Sequence, residues 1–161
     1  MPDVDVYRSA DVETDGAIPG PYSMLSFALV PAGRFDGHAF RAPATYDDVF
    51  YRELRPVGPE VDVEALRVSG LDRDRLTREG TDPARAMSDA AAWVRAHARD
   101  GTPILVAYPL SVDWSWLHWY FTRFSDSGSP FEHSRAFDLR TAHSPSTFTT
   151  TRFFRRPSNS A

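Results

Sequence analysis

Cysteine, lysine and glutamine are all missing from this 161-residue chain. Without cysteine there is no disulfide, no thiolate metal site and no thiol nucleophile, so any metal must be held by oxygen or imidazole. Without lysine, all 18 basic residues are arginine, a bias that points to GC-rich coding DNA before any functional preference. Long apolar runs are missing too. None reaches the roughly 20 residues that a membrane helix needs, and the N-terminus lacks the basic-then-apolar layout of a secretory signal. No membrane partner and a cytoplasmic location are the expectations that follow. Positive net charge is also absent: the formal charge is −4. That excludes wrapping of nucleic acid along a broad basic face, which depends on counterion release, but not contact with a strand end alone.

What is present is a globular composition. Hydrophobic residues make up 42% of the chain and aromatic residues 13%, enough to offset the 13 prolines and build one aromatic-rich core of ordinary domain size. Val4 to Asp11 alternates imperfectly and reads as a weak strand leading into Glu13-Thr14-Asp15-Gly16. Tyr22 to Val30 and Tyr46 to Leu54 read as further strands, with Gly33 and Gly37 in the bend between them. Short links between them predict an antiparallel meander. A helix is expected from near Asp62 to Ser69-Gly70 and a short one over Arg73 to Arg78. Asp82-Pro83 starts a longer helix in which Ala86, Ala90, Trp93, Val94 and His97 share a face. Ile104 to Tyr108 is a compact apolar run suited to an interior strand, and Val112 opens an aromatic helix ending near Phe124. The fold class is therefore α/β: an antiparallel meander, then helix-linked strands in one mixed sheet flanked by helices.

Asp11 and Glu13 are two residues apart, and in a strand that spacing puts both carboxylates on one face. Beside a glycine-containing turn they suit a hard divalent cation such as Mg²⁺ or Mn²⁺, whose charge relieves their repulsion. A solvated acidic turn is the plainer alternative. Asp113, in the first turn of the aromatic helix, has its own plain reading as a partner of the helix dipole. Trp116, Trp119 and Tyr120 share a face and read as core, while Trp114, next to the acid, is the aromatic residue best placed to stack on a base. His38, His97 and His118 read as surface or packing residues.

The longer phrase Asp11-Val-Glu-Thr-Asp-Gly16 resembles the first motif of the DEDD-type 3′–5′ exonuclease superfamily, which includes ribonuclease T, oligoribonuclease and polymerase proofreading subunits. Ala65-Leu-Arg-Val-Ser-Gly-Leu71 is similar to the segment that follows the third strand in that family, and Val112-Asp113-Trp114 to its second motif. The resemblance spans about residues 4 to 142. It implies a ribonuclease H-like fold, with Asp11, Glu13 and Asp113 as catalytic metal ligands for two Mg²⁺ or Mn²⁺ ions. It also implies Thr14 and Gly16 beside the terminal nucleotide, and hydrolysis of phosphodiester bonds at the 3′ end of single-stranded RNA or DNA by a two-metal mechanism.

The family's third motif, His-x-x-x-x-Asp, opens a C-terminal helix and supplies a general base and a fourth carboxylate. His133-Ser-Arg-Ala-Phe-Asp138 has that spacing but begins only 20 residues after Asp113, and no amphipathic helix follows. It is similar instead to the segment between the second and third motifs, where Asp138 is structural. From His143 the chain loses apolar periodicity and carries no acidic residue. The expected organisation is an incomplete exonuclease-like domain over residues 1–142 and a disordered tail over 143–161, as in a truncated or frame-shifted member. A missing terminal helix would leave apolar sheet uncovered, which predicts self-association, for instance as a homodimer. The alternative is an inactive module of the same fold that binds a metal, a nucleotide or a protein partner.

Overall fold

The computed structural model describes residues 4–143. The first strand, β1 (Asp5–Thr14), runs through Asp11 and Glu13 rather than ending before them. Val6, Arg8 and Ala10 are buried on one face, and Tyr7, Ser9, Asp11 and Glu13 take the other. Arg8 made this strand look weak in the sequence. It is inward-facing nonetheless, with its guanidinium 5.4 Å from the centroid of the Trp93 ring and a hydrogen bond donated to the Tyr7 carbonyl.

Strand β2 (Met24–Phe35) returns antiparallel along the whole of β1. Gly33 lies inside β2 and not in the bend: it faces Tyr7 where the register slips, has φ +147°, and a Cβ there would sit 2.2 Å from the Phe40 ring. The chain turns instead at Asp36 and Gly37, with Asp36 accepting from the amides of His38 and Ala39. Two short strands then pair antiparallel with β2: β3 (Phe40–Arg41), which the sequence did not announce, and β4 (Phe50–Glu53), the centre of the strand expected over Tyr46 to Leu54.

Helix α1 (Val63–Ser69) is capped by the Asp62 carboxylate and stops at Gly70, φ +68°. Helix α2 (Arg73–Glu79) follows, and α3 (Pro83–Ala98) starts at the expected Asp82-Pro83. The buried face of α3 is rotated from the one expected: Ala86, Met87, Ala90, Ala91, Val94 and Ala98 are buried, and Trp93 and His97 lie on its flank. Small alanines let the helix approach the sheet closely, while the two rings pack on each other 4.4 Å apart. Strand β5 (Thr102–Ala107) pairs parallel to β1, then come α4 (Leu110–Phe124), β6 (Ala136–Asp138) parallel to β5, and the single turn α5 (Leu139–Ala142).

The sheet order is β3-β2-β1-β5-β6, with β4 also beside β2. The two long helices, α3 and α4, lie on one face over a core of Phe27, Leu29, Leu105, Trp116, Tyr120 and Phe121. The mixed sheet, antiparallel then helix-linked, matches the expected α/β class. Among the described residues no helix is long and apolar enough to cross a membrane. The tail expected from residue 143 lies outside the described residues except for His143.

Candidate active site

The acids meet at one edge of the sheet because β1 and β5 are parallel. Both strands deliver their C-terminal ends there, β1 carrying Asp11 and Glu13 and β5 leading into α4 with Asp113 in its first turn. Pairing of β1 with β5 stops at Ser9–Val106, so beyond that point β1 has no strand on that side. Asp113 takes the vacated place: its Oδ1 accepts a hydrogen bond of 3.1 Å from the backbone N–H of Val12, the residue between the two strand acids. The Asp113 side chain is thereby fixed against the motif, with only 6% of the residue exposed.

Three carboxylates so close oppose one another's ionisation. Asp113 is pushed up to about 6, first by burial and then by the charge of Asp11, with Glu13 adding to it; the backbone N–H groups of Asp113 and Val12 pull the other way. Glu13 is also raised, by burial and by Asp11. Among the described residues no arginine or histidine lies within ion-pair distance of any of the three. Hard oxygen donors with unrelieved negative charge fit a divalent cation in donor chemistry and in charge. Their side chains do not form a finished cage, since no three acidic or histidine groups among the described residues close on a common point. Asp11 is exposed, so its carboxylate is free to swing inward.

The turn after Glu13 is held by a residue whose importance the sequence did not disclose. Asp15 is fully buried; one carboxylate oxygen accepts from the Ser23 amide and the other from Arg73 Nε at 2.8 Å. Arg73 also donates to the carbonyls of Gly58 and Glu60, and the Asp15 carbonyl accepts from the Asp62 amide. One ion pair thus ties the end of β1 to the start of β2, the loop before α1, and α2. An acidic motif with three carboxylates in five positions gave the only hint: the one facing inward must have a buried partner.

Thr14 donates its hydroxyl to the Gly16 carbonyl at 2.9 Å and stays beside the acids. Gly16 is occupied differently from the expectation that it leaves room for a nucleotide. A Cβ there would lie 2.0 Å from the Tyr22 ring, so the missing side chain makes space for Tyr22. Trp114 is half-buried and stacks on His118, with centroids 5.2 Å apart and planes 12° apart.

The structure does not bring His133 to the acids. It precedes β6, which runs parallel to β1, and Arg135 nearby pairs with Asp5 at the first residue of β1, the opposite edge of the sheet. Asp138 is at the right edge but caps α5, accepting from the Arg140 amide at 2.9 Å and the Thr141 hydroxyl at 3.0 Å. That is the structural role its sequence context suggested.

No protein-family model matches the chain. The 3′–5′ DNA exonuclease Cap18 of Escherichia coli is 32% identical over 124 residues, which are 74% of this chain and 58% of that protein. The chain belongs to the DEDD-type 3′–5′ exonuclease-like superfamily. Solved structures of exonuclease I share its ribonuclease H-like fold. The apo form superposes with TM-score 0.59 at 16% identity, covering 88% of this chain and 30% of that one. E. coli exonuclease I in complex with a dA16 oligonucleotide does so with TM-score 0.57 at 17% identity, covering 84% and 28%. The chain thus spans little more than half the length of Cap18 and under a third of exonuclease I.

Proposed function

We propose that this domain binds Mg²⁺ or Mn²⁺ through Asp11, Glu13 and Asp113 and acts on the 3′ end of single-stranded DNA or RNA. The observation that carries this reading is the Asp113 carboxylate seated on the Val12 amide, between two further acids, with no cationic side chain near. Folding has brought like charges together at a cost that only a bound cation repays. When bound, a pair of divalent ions in such a site supplies an activated water and neutralises the departing 3′ oxygen. The chain's own part is to hold Asp113 through Val12, to fix the turn through Asp15 and Arg73, and to offer Thr14 and the half-buried Trp114 to the terminal nucleotide.

A second reading is favoured by the placement of His133 and Asp138. With the histidine at the far edge and the aspartate engaged in a cap, the described residues offer no general base. The domain would then be an inactive module that binds a metal and a strand end, or a protein partner. Both readings are tested by incubating the protein with 3′-labelled and 5′-labelled single strands and Mn²⁺, alongside Asp11→Asn. The first expects loss of the 3′ label only in the unsubstituted protein. Degradation that persists in Asp11→Asn refutes the assigned site, and absence of degradation with an intact Mn²⁺-induced rise in melting temperature selects the second.

A further inference from the structure

On the helix-bearing side of the molecule, an open cavity of about 470 Å³ is lined by Gly20, Arg55, Val57, Trp119, Arg123 and Phe124 among others. Its composition is unusual for this chain. The protein as a whole is acidic, yet two guanidiniums border this hollow, and among the described residues neither has a carboxylate within ion-pair distance. The one acid in the wall, Asp82, is committed to capping α3, where its Oδ1 accepts from the Ala84 and Arg85 amides. Trp119 is half-buried and packs edge-on against Tyr120 and Phe124, which hold the indole in place. Gly20, with φ +104°, brings backbone close to that indole: a Cβ there would sit 3.8 Å from it.

We propose that this cavity is a second contact for the nucleic-acid strand, with Trp119 stacking on a base and Arg55 and Arg123 holding the flanking phosphates. The inference rests on the exonuclease-like reading above and adds to it the route of the strand. Two free cations and a fixed aromatic plane are the elements by which single strands are bound without regard to sequence. The location agrees. Trp119 lies six residues beyond Asp113 on α4, about 9 Å along the helix axis, and Gly20 belongs to the same β1–β2 connection that leaves the site at Asp15 and Gly16. At about 3.4 Å between phosphates of a stacked strand, the cavity would be reached a few nucleotides from the end held at the acids. An otherwise acidic surface can thus bind a strand at two separate places without a continuous basic face.

The test uses the full chain as Asp113→Asn, so that substrate is bound but not cut, with fluorescein-labelled dT3, dT12 and rU12 in anisotropy titrations. Adding Arg55→Gln and Arg123→Gln should weaken dT12 binding about tenfold or more and lower the salt slope by about two, one per lost phosphate contact. Affinity for dT3 should change less than about twofold. In the same background, quenching of intrinsic fluorescence by dT12 but not by dT3 should be lost in Trp119→Phe. Loss for rU12 but not dT12, or the converse, identifies which strand the cavity takes. If dT12 and rU12 bind equally well with and without the arginine changes, the cavity is not a strand contact while the acidic site stands. If no oligonucleotide binds in any background, the exonuclease-like reading falls with it. Arg123→Glu is the internal control and should weaken binding further than Arg123→Gln, since an exposed, unpaired position tolerates either side chain in the fold.

Discussion

Asp113 is the residue at which stability and proposed function pull hardest against each other. In the unfolded chain its carboxyl ionises near 3.8, and in the folded chain at about 6. The folded state therefore takes up this proton more readily than the unfolded one. Its favourable contribution is complete below pH 3.8 and is lost as the pH rises to about 6, so at pH 7 the ionised carboxylate subtracts up to about 3 kcal/mol. Asp113→Asn keeps an oxygen for the Val12 amide and removes the charge. At pH 7 it should be more stable than the parent by about 1–3 kcal/mol, seen as a melting temperature several degrees higher. The gap should close as the pH is lowered from 6 to 4. Added Mn²⁺ should raise the melting temperature of the parent and leave Asp113→Asn nearly unmoved. A substituted protein less stable than the parent at pH 7 would show that the carboxylate is satisfied as it stands.

At the scale of elements, the connection after β1 is held by one ion pair. Arg73→Ala leaves a wholly buried Asp15 carboxylate with the Ser23 amide as its remaining partner, and breaking a buried pair on one side costs about 3–5 kcal/mol. Denaturant unfolding should report that loss, and Arg73→Lys should restore part of it. A change below about 1 kcal/mol would mean that solvent reaches Asp15 once the guanidinium is gone. Elements whose residues agree with their place were legible in the sequence. The caps at Asp62 and Asp82, the stop at Gly70, and the apolar run of β5 all fell where local chemistry put them. Elements set by distant contacts were not. β1 runs on through its acids because β2 pairs with it to Thr14, Arg8 faces inward because Trp93 covers it, and β3 exists because β2 is long enough to meet it. The acids of the site were legible as types and spacing. The Asp15–Arg73 tie was not, since its partners are 58 residues apart.

Across the whole molecule, the sheet is covered unevenly. On the face away from α3 and α4, Tyr7, Ser9, Ala32, Phe40, Val106, Phe137 and Leu139 line a hollow of about 340 Å³ whose walls are mostly apolar. Phe40, Phe137 and Leu139 are between 40% and 57% exposed. Asp11 and Glu13 extend the row of Tyr7 and Ser9 on that same face, so whatever covers the hollow also borders the site. An apolar patch of this kind on a sheet drives association. The 161-residue protein should therefore show a concentration-dependent sedimentation coefficient. Phe40→Asp with Phe137→Asp should hold it as a monomer while leaving the melting temperature within a few degrees, because both side chains already face solvent. A parent that sediments as a monomer at every concentration would mean that this face is satisfied within one chain, and the self-association expected of an uncovered sheet would be refuted.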